Sequence, residues 1–111
     1  NMANTFKNSI SGSIGITETT VYTTPALTTT TVIGVSVANV ENSNISVSVK
    51  IYDNSASTDV YLVKNALISP GSNLVLVGGE QKVVLEPADY LTLQSSVTAS
   101  ADVVVSVLEI S

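Results

Sequence analysis

The stretch Ile45-Ser46-Val47-Ser48-Val49-Lys50-Ile51-Tyr52 places an aliphatic side chain at every second residue. Successive side chains of a β-strand point to opposite faces of its sheet, so this pattern predicts a strand with Ile45, Val47, Val49 and Ile51 on a buried face. Period-two alternation with one polar face is typical of an antiparallel sheet that packs on a core from one side. The stretch therefore predicts one strand of a layered β domain.

Segments rich in Val, Ile, Thr and Tyr lie on both sides of this stretch and are separated by turn-forming residues. The predicted strands are Thr19–Thr23, Thr28–Asn39, Ile45–Tyr52, Val60–Val63, Leu74–Val77, Lys82–Leu85, Tyr90–Gln94 and Asp102–Ile110. No segment has helical periodicity. About seven to eight strands at roughly ten-residue spacing predict an all-β fold, either an antiparallel β-sandwich or a jelly roll.

Two of these strands carry further information about their neighbours. In Thr28–Asn39 the alternation predicts Ile33, Val35 and Val37 on one face of the strand. The strand Asp102–Ile110 is apolar on both faces, which is typical of a central strand or of one covered on both sides.

The first sixteen residues have a different pattern. Phe6, Ile10, Ile14 and Ile16 are spaced by Ser, Gly and Asn in a way that suits neither a regular helix nor a regular strand. We therefore predict an extended N-terminal arm over residues 1–16 and a single β-sandwich domain over 17–111. The four apolar residues of the arm are the candidate interface residues, covering either this domain's own sheet edge or a neighbouring subunit.

Composition excludes most catalytic and metal chemistry. The chain has no histidine, cysteine, tryptophan or arginine, so zinc, haem, copper and iron–sulfur sites lack their usual ligands. Glu86 and Asp89 could be read as a glycosidase pair, but acids in a Pro-containing turn are the preferred interpretation. Asp53-Asn54 with Asp59, or Glu41-Asn42 with Asn44, could supply oxygen ligands to calcium, and ordinary turns are again preferred. We predict no catalytic residue, no cofactor and no metal, hence no enzyme.

The charge of the chain bears on its partners. A net charge of −5, with only four scattered lysines, argues against binding to nucleic acid or to an anionic membrane. Charged residues make up 12% of the chain, against about 25% in ordinary soluble domains. A surface so poor in charge predicts coverage by other subunits, so we expect a homo-oligomer or a larger assembly. The four tyrosines would form a sugar-binding or interface patch if they shared a face, but separate structural roles are preferred.

Several segments also resemble segments of a known protein family. They are Met2–Asn8, Thr19–Ala26, Thr30–Asn39, Tyr61–Lys64, Val77–Glu86 and Ser106–Ser111. Together they resemble small virion structural proteins of tailed phages that infect marine and freshwater bacteria, cyanophages among them. The resemblance spans nearly the whole chain but contains no catalytic motif.

This resemblance implies a virion component that is assembled in the host bacterial cytoplasm. Within that class a capsid cement or decoration protein is the first choice. Such proteins are small acidic β domains, often trimeric, and their partners are copies of themselves and the major capsid protein. A tail, neck or fibre component is the alternative within the class, and a carbohydrate-binding or adhesin domain is the alternative outside it.

Overall fold

A computed structural model describes residues 3–77 and 82–111 of the chain. These residues form nine strands and no helix, so none of them belongs to a helix that could cross a membrane. The strands are β1 Asn4–Ile14, β2 Thr19–Thr23, β3 Thr29–Asn39, β4 Ile45–Asp53, β5 Thr58–Ile68, β6 Asn73–Val77, β7 Val83–Leu85, β8 Tyr90–Ser95 and β9 Ala101–Ile110. The all-β prediction is confirmed, and the predicted turn at Gly78-Gly79 lies outside the described residues.

The strands form two antiparallel sheets. Sheet A has the order β1-β9-β3-β6, with β7 also paired to β3, and sheet B has the order β2-β8-β4-β5. Most connections pass from one sheet to the other, since only β4–β5 and β6–β7 join strands of the same sheet. The result is a two-layer β-sandwich, as the sequence predicts.

The core lies between the two sheets and is almost entirely aliphatic. In β4, Ile45, Val47 and Val49 are buried while Ser46 and Ser48 are partly exposed, which confirms the alternation of this strand. β-Branched residues fit such a core because their stiff side chains pack well on a pleated surface. The central strands of both sheets supply most of the fully buried side chains.

In β3, one of the residues predicted to face the core does not do so. The pairing of β3 with β9 shifts register between Val32 and Gly34, so the strand has a bulge at Ile33. Because the bulge adds a residue, Val32 rather than Ile33 faces the core together with Val35 and Val37. The prediction was therefore correct for Val35 and Val37 and wrong for Ile33.

β9 is the central strand that its sequence predicts. It lies between β1 and β3, and Val103, Val105 and Val107 are buried in the core. Its other face points away from sheet B, where Val104 is 39% exposed. The second apolar face of β9 is therefore open in this chain.

Much of the segment predicted as an N-terminal arm is a strand. β1 pairs antiparallel with β9, from Asn4 opposite Ile110 to Ser11 opposite Val103, and forms an edge of sheet A. Alternation failed to reveal it because the inward positions Ser9 and Ser11 are polar. The Ser9 hydroxyl donates to the carbonyl oxygen of Val21 on β2 at 2.7 Å, which satisfies it between the sheets.

Candidate functional site

The outer face of sheet A, the side turned away from sheet B, exposes apolar side chains in rows across its strands. In the first row Ile10 pairs with Val104, Val104 with Ser36, and Ser36 with Val75. Ile10 is 74% exposed and Val75 is 62% exposed. Directly opposite residues of neighbouring strands share a face, so these side chains form one band.

A second row runs parallel to the first. Phe6 pairs with Leu108, Leu108 with Thr31, and Thr31 with Val84 of β7. Phe6 is 73% exposed and Val84 is 61% exposed. Neither row contains a charged residue. The two rows are uncharged and largely apolar, and the surface that carries them is what we call the outer face of sheet A.

Small and polar residues separate the two rows. Asn8 pairs with Ser106, and Ser106 pairs with Gly34. The Ser106 hydroxyl donates to Asn8 Oδ1 at 2.9 Å, so the polar groups here are satisfied within the sheet. Asp102 lies at the end of this face and accepts a hydrogen bond from the Ser13 backbone N–H at 2.9 Å.

The outer face of sheet B has the opposite character. Lys50 Nζ lies 3.3 Å from Glu18 Oε1 and 4.0 Å from Asp59 Oδ2. A hydrogen bond from the Thr92 hydroxyl, aided by Lys50, lowers the pKa of Glu18, and the bond to Glu18 raises the pKa of Lys50. Charged and hydroxyl groups therefore occupy the centre of this face.

Three of the four tyrosines share this second face. The rings of Tyr52 and Tyr90 stack with centroids 4.8 Å apart, and Tyr61 lies beside Lys50, whose Nζ is 5.1 Å from the ring centroid. Sequence reasoning preferred separate roles because these residues lie on β4, β5 and β8, whose adjacency is a matter of topology. Tyr22 does have a separate role and is buried between the sheets.

A cluster of carboxylates lies at one end of the sandwich. Asp53, Glu86 and Asp89 each have a carboxylate oxygen within 4.8 Å of the others, and they line a cavity of about 430 Å³ together with Ile51 and Val60. The sequence singled out Glu86 and Asp89 but not their approach to Asp53. No local signal reveals that approach, because Asp53 ends β4 while the other two flank the turn before β8.

The hydrogen bonds of this cluster identify a structural tie. Asp89 is buried, and its Oδ1 and Oδ2 accept the backbone N–H groups of Asn54 and Glu86, each at 2.9 Å. The Ser55 hydroxyl and the Ala56 backbone N–H both donate to Asp53 and lower its pKa. A glycosidase general acid needs a raised pKa, so Asp53 is shifted in the wrong direction for that role.

The candidate calcium ligands are dispersed. Asp59 lies beside Lys50 on the outer face of sheet B. Asp53 Oδ1 instead accepts the backbone N–H groups of Ser55 and Ala56. The backbone N–H of Glu41 donates to Asn39 Oδ1 at 2.8 Å, as in an ordinary Asx turn. Calcium takes about six to eight oxygen ligands. In the described part of the chain, Asp53, Glu86 and Asp89 are the one acidic group close enough to hold a cation together.

The four predicted interface residues separate in the structure. Phe6 and Ile10 lie on the outer face of sheet A, and Ile16 is 58% exposed in the connection after β1. Ile14 is 4% exposed and belongs to the core, so it is not available to a partner. Sequence analysis missed Val75, Val84 and Val104 on the same face, since they look like ordinary members of predicted strands.

Comparison with known proteins finds similarity of fold. No protein-family model and no curated protein matches the chain. Among solved structures it is similar to a protein of the Bacillus endospore appendages, which form disulfide-linked pili, with a TM-score of 0.58 and 10% identity over 97% of this chain and 86% of that one.

Two further solved structures come from virus particles. A chain of the infectious bursal disease virus particle matches with a TM-score of 0.55 and 14% identity. The match covers 96% of this chain but 30% of the viral one. A chain of the virus-like particle of extra small virus from the prawn Macrobrachium rosenbergii matches with a TM-score of 0.55 and 10% identity, over 98% of this chain and 79% of that one. With identities this low, the three comparisons show a shared fold, and that fold is an antiparallel β-sandwich.

Proposed function

We propose that the protein is a non-enzymatic structural subunit of a virus particle, held there by protein–protein contacts. The observation that carries the proposal is the outer face of sheet A, where two uncharged rows cross the sheet. Large exposed apolar side chains gathered on one face of a soluble protein are typical of a binding surface. Covering such a face with a partner removes apolar area from water and stabilises the complex.

The contrast between the two outer faces supports the same function. The outer face of sheet B carries the charged groups Glu18, Lys50 and Asp59, which interact favourably with water. A sandwich with one charged and one largely apolar face is suited to a protein layer. Its apolar face would contact other proteins, and its charged face would contact solvent.

The fold likeness supports assembly as well. The named neighbours are components of appendages, of a virus particle and of a virus-like particle. We infer a jelly roll from the strand orders β1-β9-β3-β6 and β2-β8-β4-β5, in which successive strands mostly change sheets. The 111 residues contain no cysteine, so contacts made by this sequence include no disulfide, unlike those of the disulfide-linked pili.

Within virus particles we propose a phage capsid cement or decoration role, with the major capsid protein and further copies of this chain as partners. The small size, the acidic net charge of −5 and the family resemblance support this choice. A tail, neck or fibre component would use the same face against a different neighbour. Imaging of the parent particle with a label on this chain separates these locations.

The double variant Val75→Thr with Val104→Thr tests the face. Threonine keeps the shape and strand preference of valine but adds a hydroxyl, which costs roughly 1–3 kcal/mol when a contact buries it unbonded. We expect association measured by analytical ultracentrifugation to weaken at least about tenfold while the monomer keeps its fold. Val60→Thr, at a 57% exposed valine of β5 in sheet B, is the matched control and should leave association unchanged. A wild-type chain that stays monomeric at millimolar concentration, with parent particles lacking it, would contradict the proposal.

A carbohydrate-binding function is the second candidate. A cavity of about 190 Å³ on sheet B is lined by Tyr61 and Lys64 together with Ser48, Asn65 and Gln94. Hydroxyl, amide and aromatic groups in one groove are the side chains that bind sugars through hydrogen bonds and ring contacts. Binding on a glycan array that Tyr61→Ala abolishes would favour this function over the structural one.

A further inference from the structure

We infer that the open edge of β1 pairs antiparallel with β1 of a second copy across a two-fold axis at Asn8. This contact goes beyond the outer face of sheet A, because it uses the backbone of an edge strand. A closed shell needs more than one kind of contact between subunits, and the face and the edge supply two.

The backbone hydrogen bonds of β1 determine which residues face the open edge. Ala3 and Ser111 exchange both backbone hydrogen bonds, at 2.8 and 3.0 Å, so they form a hydrogen-bonded pair. In an antiparallel ladder such pairs alternate with non-hydrogen-bonded pairs, whose N–H and C=O groups point to the other side. The residues of β1 with backbone groups on the open edge are therefore Asn4, Phe6, Asn8 and Ile10.

The features that natural proteins use to protect an edge are nearly absent from β1. Edge strands are commonly protected by charges, proline, bulges or short length. β1 has eleven residues, no proline and one charge, Lys7, and its pairing with β9 is regular from Asn4 to Ser11. By contrast β5, one of the two edge strands of sheet B, carries charged Asp59 and Lys64 and pairs with β4 through two register shifts. The open edge of β1 is therefore a site for strand addition.

Side-chain pairing favours the axis at Asn8 over an axis at Lys7 or at Ile10. With the axis at Asn8, Phe6 lies opposite Ile10 of the second copy, and Lys7 lies opposite Ser9. Both apolar rows then continue from one copy into the next on the same side of the joined sheet. Moving the axis to Lys7 would place two lysines directly opposite each other, which is unfavourable. Moving it to Ile10 would bring in the irregular pairing that follows Ser11.

Single-cysteine variants test this register cleanly, because the chain has no cysteine of its own. In a hydrogen-bonded antiparallel pair the opposed Cα atoms are about 5.5 Å apart, within the range that a disulfide spans. Asn8→Cys should therefore form a dimer under mild oxidation. Asn4→Cys is the matched control, because the substitution is the same and its two copies would lie roughly 27 Å apart. We expect cross-linking at least about tenfold faster for Asn8→Cys; equal rates in a chain that associates would overturn the inference.

A second pair of variants tests the backbone contact itself. Asn8→Pro and Asn8→Ala both remove the hydrogen bond from Ser106, but only proline removes the N–H that points to the open edge. We expect Asn8→Pro to weaken association about tenfold relative to Asn8→Ala, with circular dichroism showing the same fold. Equal association of the two folded variants would overturn the inference.

The outcomes for the edge and for the face are distinguishable. If Val75→Thr with Val104→Thr weakens association while Asn8→Cys does not cross-link faster than Asn4→Cys, the proposed face stands and the edge contact is wrong. The reverse result supports the edge contact and contradicts the face. The edge contact also predicts two-fold, even-numbered assemblies rather than an isolated trimer.

Discussion

Tyr22 joins the two sheets through a single hydroxyl. Its OH donates to Glu109 Oε2 at 2.6 Å and lies 2.8 Å from Thr30 Oγ1, so a residue of sheet B is bound to two strands of sheet A. Burial, reinforced by the Glu109 carboxylate, raises the pKa of Tyr22 to about 12. The ring is 7% exposed, so the hydroxyl is held away from water that would stabilise its ionised form.

This raised pKa makes the folded state sensitive to alkali. Below pH 10 Tyr22 is protonated in both the folded and the unfolded chain, and its contribution to stability is complete. Between pH 10 and about 12 the unfolded chain releases the proton while the folded chain keeps it, so the free energy of unfolding falls by about 2 kcal/mol. Denaturant titrations of wild type and Tyr22→Phe across this range measure the difference.

Tyr22→Phe should be less stable at pH 7 by about 1–2 kcal/mol, because buried Thr30 loses a partner. It should also lose most of the alkaline decline. Tyr61→Phe is the control, since Tyr61 is 47% exposed on the outer face of sheet B. An alkaline decline of the same size in Tyr22→Phe and wild type would show that Tyr22 is not its source.

Among the elements, the loop after β4 and the turn before β8 are held together by one side chain. Both oxygens of Asp89 accept backbone N–H groups, from Asn54 and from Glu86. Asp89→Ala leaves both donors without a protein partner in a part-buried setting, and we expect a loss of about 2–4 kcal/mol in the free energy of unfolding. Glu86→Gln, at an exposed side chain, should change stability by less than about 0.5 kcal/mol.

The same two variants separate structure from catalysis. If the carboxylates acted as a glycosidase pair, Glu86→Gln would abolish hydrolysis of a sugar substrate while leaving stability unchanged. We expect wild type and Glu86→Gln to be equally inactive on glycosides. Denaturant unfolding and a reducing-sugar assay on both variants decide between the two roles.

How far an element could be predicted depends on how local its signal is. β2 has its predicted bounds, and in β4 the alternation of Ile45 and Val47 with serines identified the buried face without error. Ile33 was misplaced because a bulge adds one residue to one strand against its partner, and nothing in the alternation marks it. β1 was taken for an arm because its inward positions carry serines that are satisfied by another strand.

The candidate face was only partly predictable for a related reason. Phe6 and Ile10 were recognised because they are apolar residues in a segment predicted as an arm, where they need cover, whereas Val104 and Val75 resembled any strand valine. Their alignment in one row depends on the register of β1 with β9 and of β3 with β6, which joins residues far apart in the chain. This register between distant strands is set when the whole sheet folds, and no short stretch of sequence reveals it.

At the scale of the whole molecule, the sandwich has two outer faces that differ in how they meet water. Charged groups occupy the centre of the outer face of sheet B, while the two rows on sheet A carry no charge. The core between the sheets has no such asymmetry, since both sheets contribute fully buried aliphatic residues. Folding of the chain alone does not account for the difference between the faces, and the proposed cover of sheet A by a partner does.

This difference predicts how salt affects association. Each copy carries a net charge of −5, so copies repel one another at low ionic strength. The proposed face and edge contacts use apolar side chains and backbone hydrogen bonds, so salt should screen the repulsion without weakening an attraction. We expect the association constant from sedimentation equilibrium to rise between about 0.05 and 0.5 M sodium chloride, and sulfate to be more effective than chloride. The Val75→Thr with Val104→Thr variant should associate more weakly at every salt concentration but with the same slope, because its charge is unchanged. An association constant that falls with salt would mean that ion pairs hold the copies together, and the apolar face would then not be the contact.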